Sequence, residues 1–333
     1  MMVRTKWHGK DVDVPLGAYL KVRSRYWLKS LKHALLWLPE WLAIAIGLLL
    51  LTSLPRRAMF ATCDLLSRLM FRFDRRGRRH AEDNLAVMFP QSALLKSSAA
   101  RERIIRRSYR NMARTIGYAF WTFRSARRRA AETGRVEPRL AELLAAHPQV
   151  VAVSAHLGCW ELTSQMATLA GHSMISVAKN IGTKGMTKLL MRARRAIGQE
   201  IVPAEGAFKS LAAAVKAGKS LGLLVDQHIR AEDGGVELEF FGQPYRVSPA
   251  PAFFAAKRKL PIVIAWARPE RGGTYAVELL DFIRGDEARD LKGTTRRVTA
   301  TLERAIRRRP DCWALNYNAF GDRPQAQRKE ADA

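Results

Sequence analysis

The stretch VVAVSAHLGCWEL, residues 150–162, is the part of the sequence that decides the fold. Its first residues, Val150–Ser154, form a compact apolar run of the length of a buried strand. The residues that follow, Leu157–Ala170, have the pattern of a helix, and His156 lies in the turn between the two. In open α/β sheets, ligands bind beyond the carboxyl ends of the strands. This histidine is therefore predicted to lie at the ligand-binding edge of a sheet.

His156 and Glu161 are the residue types from which a general base is built. A carboxylate bonded to one imidazole nitrogen fixes the tautomer and makes the other nitrogen more basic. Five residues of regular helix turn through about 140°, so the two side chains can meet only if His156 folds back from the loop. Gly158 permits the sharp backbone turn that this needs. Taken alone, a His and a Glu at this spacing are common, and a surface or core pair is the alternative.

From this stretch to the C-terminus, short strands alternate with helices. The alternation predicts an α/β core with crossover helices over residues 148–320, followed by a polar tail at 321–333. The further predicted strands are Met174–Ala178, Glu200–Val202, Leu221–Val225, Gly235–Phe241, Ile262–Ala267 and Tyr275–Leu280. The further predicted helices are Thr183–Gly198, Phe208–Ala217, Pro249–Lys259 and Thr294–Arg308.

The N-terminal part of the chain is basic and contains one long apolar segment. Residues 55–147 are predicted to be helical and to pack on the α/β core. The segment Leu35–Leu54 carries a single charge, Glu40, and has the roughly 20 residues that a helix needs to cross a bilayer. We therefore expect a membrane helix at residues 34–54, with a long buried helix as the alternative. Residues 1–33 are predicted to form a basic amphipathic arm, or else a solvated tail.

The formal net charge of +27 implies an anionic partner, which is nucleic acid, anionic lipid or an acidic protein. No nucleic-acid-binding motif is present in the sequence. The three cysteines, Cys63, Cys159 and Cys312, are far apart and odd in number, which argues against a disulfide framework. No C-x-x-C pair occurs, and we expect neither a metal nor a cofactor. The arginines at positions 75, 76, 78 and 79 are interpreted as a patch facing lipid headgroups or solvent.

Several motifs, taken in order, resemble those of one enzyme family. HLGCWE at 156–161 has the H-x-G-x-W-E form of the H-x4-D/E motif of the bacterial lipid A late acyltransferases, the lauroyl/myristoyl transferases of the lysophospholipid acyltransferase superfamily. Asp226-Gln227, Gly235-Val236 and FFGQP at 240–244 are similar to the family's D-Q…G-V…F-F-G-x-P block. Lys179-Asn180, followed by Arg194 and Arg195, resembles its R-x-x-N…R…G block.

The resemblance implies a mixed sheet flanked by helices, as in glycerolipid acyltransferases, and acyl transfer from acyl-acyl carrier protein to a hydroxyl of a lipid A precursor. The implied partners are the acyl carrier protein, a glycolipid acceptor and membrane lipid, with no nucleic acid. The implied location is the inner membrane, with the catalytic domain on the cytoplasmic face. His156 would be the general base and Glu161 its orienting partner, and the acceptor hydroxyl itself would attack.

The resemblance also implies a set of substrate-binding residues: Lys179, Asn180, Arg194, Arg195, Asp226, Gln227, Gly235, Phe240 and Phe241. Lys179 would lie near the acceptor phosphate or the developing oxyanion. Asp226 would support the site by hydrogen bonding, and Gln227 would do the same or cap a strand end. Phe240 and Phe241 would either line a groove for the acyl chain or pack in the core.

Two positions depart from the family pattern. Cys159 stands where the family often has Asn, and a thioester nucleophile beside a histidine is an alternative interpretation. The segment Trp313–Asn318 keeps the family's tryptophan but lacks the basic run after it, which leaves the acceptor open. The alternatives in function are a lysophospholipid or other glycolipid O-acyltransferase of the same superfamily, and a basic membrane-binding protein without enzymatic activity.

Overall fold

The computed structural model describes residues 2–7, 10–16, 46–92, 97–178, 184–204, 206–229 and 234–321. Its contacts divide the chain into two units, Met1–Leu50 and Leu51–Ala333. In the first unit, strands β1 (Met2–Trp7) and β2 (Lys10–Pro15) pair as an antiparallel hairpin, with Met2 opposite Pro15. The first residues of the predicted basic arm are therefore strands. The rest of the arm, and residues 34–45 of the predicted membrane segment, lie outside the described residues.

The end of the predicted membrane segment is described from residue 46 onward. Residues 46–53 are helical, and Ile46 and Leu50 in this stretch are exposed. Within the described ranges, no helix is both long enough and apolar enough to cross a bilayer.

The second unit begins with a helical region, as predicted. The helices are α1 (Arg56–Phe73), α2 (Arg75–Met88), α3 (Ser98–Trp121), α4 (Ala126–Thr133) and α5 (Pro138–Ala146). Between α3 and α4 the helical structure is interrupted by a 3-10 turn, Thr122–Arg124. Asp74 caps the start of α2, because its side chain accepts a hydrogen bond from the Gly77 backbone N–H at 2.7 Å.

A seven-stranded mixed sheet forms the centre of the second unit. In spatial order its strands are β3 (Gly134–Val136), β11 (Tyr275–Ile283), β10 (Ile262–Pro269), β4 (Val151–Ser154), β7 (Ser220–Leu224), β5 (Met174–Ala178) and β6 (Glu200–Pro203). All neighbours are parallel except β10 and β11, which are antiparallel. This confirms the α/β class and the mixed sheet.

The connections are helices α6 (Trp160–Leu169), α7 (Lys184–Ala196), α8 (Ala207–Lys216), α9 (Ala250–Arg258) and α10 (Leu291–Arg308). A separate hairpin is formed by β8 (Val236–Phe240) and β9 (Gln243–Val247). The short strand β3 and the strand β9 were not predicted from the sequence. In β9, Pro244 and two polar residues obscure the pattern of a strand.

Each face of the sheet is covered by its own hydrophobic core. Side chains alternate across a strand, so Ile262 and Ile264 of β10 join one core while Val263 and Ala265 join the other. The first core includes residues from α2, α8, α9 and α10, and the second includes residues from α1, α3, α4, α5 and α6. The sheet is thus a layer between two sets of helices, and its strand ends are held at a fixed edge.

Candidate active site

Two adjacent strands end at the same edge of the sheet, and each is followed by a polar residue of the site. Strands β4 and β7 are parallel neighbours, with Ser154 opposite Leu224. His156 and Asp226 each follow two residues after these paired positions. Because the two strands end at the same edge of the sheet and in the same register, the His156 imidazole and the Asp226 carboxylate come together. This places His156 at the predicted rim of the sheet.

Asp226 holds His156 by two hydrogen bonds. The His156 backbone N–H donates to Asp226 Oδ2 at 3.0 Å, and His156 Nδ1 lies 2.9 Å from Asp226 Oδ1. A carboxylate at this distance accepts the Nδ1 proton and leaves the lone pair of a neutral imidazole on Nε2. Nε2 has no hydrogen-bond partner among the described residues, and the side chain is 23% exposed. One nitrogen is therefore fixed while the other is free to take a proton.

The Asp226 carboxylate is buried and has a third donor. Trp313 Nε1 donates to Asp226 Oδ2 at 2.8 Å, and the Tyr245 hydroxyl donates to the Asp226 backbone carbonyl at 3.0 Å. Burial alone would raise the pKa of Asp226, but the charge of His156 and the hydrogen bonds from His156 and Trp313 outweigh it and lower the pKa. Asp226 thus stays ionised beside the imidazole. Trp313 and Tyr245 were not predicted to contact this aspartate.

The loop that carries His156 is fixed on both sides by backbone hydrogen bonds. Ala314 N–H donates to the His156 carbonyl at 3.0 Å, and Gly158 N–H donates to the Cys312 carbonyl at 2.9 Å. Gly158 has φ of +63°, and a Cβ added there would lie 2.0 Å from the Ala267 carbonyl oxygen. Only glycine fits so close to a neighbouring backbone. The turn expected at Gly158 is confirmed, and it holds the imidazole in a set position.

Glu161 does not bond to His156, so the prediction that it orients the imidazole is wrong. Its two carboxylate oxygens accept from Arg194 instead, at 2.9 Å from Nε and 2.5 Å from Nη2. The pair is buried, with side chains 8% and 14% exposed. Glu161 is in the first turn of α6, so its side chain is directed by that helix, whereas His156 is held by the loop before it. The pair links α6 to α7.

A cavity of about 80 Å³ lies against the sheet next to this ion pair. Its walls are mainly apolar and include Trp160, Glu161, Arg194 and Ser154. The Ser154 hydroxyl is buried and has no hydrogen-bond partner among the described residues. A space of this size holds a few water molecules, whereas sites for larger ligands are typically about 300 Å³ or more. The cavity is therefore too small for a long acyl chain in this conformation.

The sequence model of the bacterial lipid A biosynthesis acyltransferases matches residues 27–320. The chain belongs to this family. Membership supports an enzyme that acylates lipid A, and it accounts for the order of motifs around His156. No curated protein matches the chain.

The remaining predicted residues of this acyltransferase are placed as follows. Arg195 is exposed on α7, and Gln227 is half-buried directly after Asp226. Gly235 precedes β8, where a Cβ would lie 2.7 Å from Arg246 Cγ. Lys179 and Asn180 lie outside the described residues, so their roles stay predictions.

Phe240 and Phe241 are 2% and 4% exposed and belong to the core, which favours the packing alternative over an exposed groove. They contact Trp313 and Phe320, with ring centroids 6.1–6.4 Å apart. The same aromatic cluster includes Tyr245. Trp313 and Tyr245 both donate hydrogen bonds to Asp226, so the aromatic cluster holds this aspartate in position. The sequence signal for this was the FFG block, which identifies the family but not the contact.

Cys159 has the surroundings of a buried structural thiol. Its exposure is 0%, and burial raises its pKa to about 12. A thiol attacks as the thiolate, so a group this hard to ionise is a poor nucleophile. The arrangement argues against the covalent alternative.

Proposed function

We propose that this acyltransferase moves a fatty acyl group from acyl-acyl carrier protein to a hydroxyl of a lipid A precursor, with His156 as the general base. Asp226, and not Glu161, is the carboxylate that orients His156. The observation that carries the proposal is the pairing of His156 Nδ1 with a buried carboxylate, while Nε2 has no hydrogen-bond partner within the described ranges and the side chain is 23% exposed.

The chemistry requires one proton acceptor and no covalent intermediate. His156 Nε2 takes the proton from the acceptor hydroxyl as its oxygen attacks the thioester carbonyl carbon. The new C–O bond forms, the C–S bond breaks, and the leaving thiolate takes the proton back from the imidazolium. Asp226 stabilises the imidazolium between these two proton transfers, since its carboxylate is buried and ionised. The products are the ester and the free thiol of the carrier.

Charge and composition are consistent with the partners in this proposal. Acyl carrier proteins are acidic and lipid A precursors carry anionic groups, and a chain with a net charge of +27 attracts both. The proposed location is the inner membrane, with the catalytic domain on the cytoplasmic face. Lys179 remains the proposed cation near the acceptor phosphate or the oxyanion.

The proposal is tested by replacing the base. His156→Ala is expected to lower kcat by about 10²–10⁴, because the acceptor hydroxyl loses its proton acceptor. His147→Ala serves as the matched control with unchanged turnover, because His147 lies before β4, at the opposite end of the strand from His156, and its ring packs against Phe282. Circular dichroism checks that both variants are folded. Wild-type turnover by a folded His156→Ala protein would refute the proposed mechanism.

The donor and acceptor are tested separately from the base. Purified enzyme is incubated with labelled acyl-acyl carrier protein, or in a parallel reaction with labelled acyl-coenzyme A, and a panel that contains a glucosamine-disaccharide lipid and a lysophospholipid. Labelling of the disaccharide lipid supports the proposed acceptor. Labelling of the lysophospholipid alone would support the glycerolipid alternative, and transfer from acyl-coenzyme A alone would contradict the carrier-protein donor.

A further inference from the structure

Helix α1 is apolar on its solvent side as well as on its buried side. Leu65, Leu66, Leu69 and Phe73 are 57%, 48%, 48% and 75% exposed. At 100° per residue they fall within an arc of about 100°, opposite the buried face. A surface helix of a soluble domain normally has charged and polar residues at such positions. Four large apolar side chains clustered on one exposed arc mark a contact surface.

A basic cavity adjoins this arc. It has a volume of about 640 Å³ and is formed by α1, α2 and the start of α3. Five arginines are among the lining residues, against two glutamates: Arg68, Arg72, Arg78, Arg79 and Arg106, with Glu82 and Glu102. Phe71 forms part of its wall, with Arg106 4.1 Å and Arg78 5.2 Å from the ring centroid.

In two of these five arginines the side chain has a partner within the described part of the fold, and three have no ion-pair partner there. Arg106 pairs with Glu102, and Arg78 donates to the Phe71 carbonyl at 2.7 Å. The side chains of Arg68, Arg72 and Arg79 are exposed and have no ion-pair partner among the described residues. Their guanidinium groups are thus available for an external anion such as phosphate, whose oxygens match the planar fork of donors on arginine.

We infer that α1 docks on an anionic phospholipid bilayer, with its apolar arc inserted at the headgroup boundary and a lipid phosphate held by Arg68, Arg72 and Arg79. An interfacial helix has this combination of an apolar face and flanking basic residues. In a bilayer the acyl chains and the phosphates lie in adjacent layers, so an anionic bilayer matches both the apolar arc and the basic cavity beside it. The inference deepens the proposed function, on which it rests for a lipid-bound acceptor.

The docking surface is connected to the active-site loop through one helix. α1 packs on α3, where Cys63 of α1 lies against Gly117. On α3, Thr115 Oγ1 donates to the Gly158 carbonyl at 3.0 Å and Ser108 Oγ donates to the Trp313 carbonyl at 2.5 Å. A bilayer bound at α1 would therefore lie one helix away from the loop that holds His156. That position suits an enzyme whose acceptor stays in the membrane.

The test uses a dye at a single introduced cysteine in the full chain. The native cysteines are 0–2% exposed, so a polarity-sensitive thiol dye reacts selectively at Leu69→Cys. The matched control is Leu291→Cys, on α10, where the leucine is 38% exposed. On addition of vesicles of phosphatidylcholine with phosphatidylglycerol, the emission at position 69 is expected to shift to the blue, and that at 291 to stay unchanged. Vesicles of phosphatidylcholine alone should give a much smaller shift.

The arginines are tested by their contribution to binding of the same vesicles. Arg68→Gln, Arg72→Gln and Arg79→Gln together should weaken vesicle binding on the order of a hundredfold, since each basic residue at an anionic surface contributes roughly fivefold. The control removes three exposed arginines elsewhere, Arg258, Arg289 and Arg296, and is expected to change binding far less.

Three outcomes would overturn the inference. They are no shift at position 69, an equal shift at positions 69 and 291, or a shift produced by acidic carrier protein and not by vesicles. Since binding is read without turnover, the result is independent of whether the acyl-transfer assay succeeds.

Discussion

The two buried carboxylates of the active-site region, Asp226 and Glu161, accept hydrogen bonds from different side chains. Asp226 accepts three N–H bonds from His156 and Trp313. Glu161 accepts two from Arg194. Glu161 is five residues from His156 along the chain, whereas Asp226 is 70 residues away, in the loop that follows the neighbouring strand β7. The carboxylate that is distant in sequence is the one that reaches the imidazole.

The difference shows that sheet register, and not sequence spacing, assembles this site. Parallel strands β4 and β7 end together, and the residues two positions beyond each end meet. Glu161 is already within helix α6, whose first turn directs it toward α7 and Arg194. In the proposed mechanism the proton transfers take place at the His156–Asp226 pair, while the Glu161–Arg194 pair joins two helices beside a small cavity.

The largest expected effect comes from Asp226→Asn, which keeps the shape of the side chain and removes its charge. The amide no longer enforces the Nδ1–H tautomer or stabilises the imidazolium, so kcat should fall by about 10²–10⁴. The matched control is Asp281→Asn, which alters another carboxylate with a lowered pKa, on β11. Steady-state turnover measures both. A small effect at Asp226 together with a large loss in Glu161→Gln would reverse the assignment of the two carboxylates.

We expect the Glu161–Arg194 ion pair to contribute to the free energy of unfolding. Glu161→Leu leaves a buried guanidinium unpaired and is expected to lower the free energy of unfolding by about 3–5 kcal/mol. The double variant Glu161→Leu with Arg194→Met should recover much of this loss, because no unpaired charge remains. Chemical denaturation measures the three proteins. A double variant no more stable than Glu161→Leu would contradict the pairing.

Turnover of the stable double variant then separates a structural role of the pair from a direct part in catalysis. This measurement also bears on the family motif, in which the histidine and the acidic residue occur together. Retained turnover would limit Glu161 to positioning α6.

Much of the fold could be predicted from the sequence, because buried strands and amphipathic helices each leave a periodic pattern. The strand before His156 and the turn at Gly158 were found in this way, and the family motifs supplied the mixed sheet. The pairing of His156 with Asp226 depends on β4 and β7 being neighbours, which no local pattern encodes. Trp313 reaches the same carboxylate from the C-terminal end of the fold. Contacts between segments so far apart in sequence require the sheet order.

A smaller effect is expected from Gly158→Ala, and it concerns the loop that positions His156. A Cβ there would meet the Ala267 carbonyl oxygen at 2.0 Å, in a backbone with φ of +63°. The matched control is Gly206→Ala, which has φ of +70° and nothing within 4 Å of the added Cβ. In the control, backbone strain should lower the free energy of unfolding by about 1–2 kcal/mol. Gly158→Ala should lower it further, because the added Cβ also meets the Ala267 carbonyl. If thermal unfolding showed the same loss of stability in both variants, the loop would tolerate the displacement caused by the added Cβ.

The smallest effect is expected from Cys159→Ala, which tests whether the region beside His156 contains a nucleophile. Cys159 is fully buried with a pKa raised to about 12, and it lies one residue before Trp160, where α6 begins. Its removal should leave kcat unchanged and lower stability by about 1 kcal/mol, since a small buried side chain is shortened. A loss of turnover as large as that of Asp226→Asn, or a labelled acyl group that stays on the protein after denaturation, would instead require a thioester at Cys159. In that case the Asp226 side of the site would activate a thiol, and the acceptor hydroxyl would attack only in a second step.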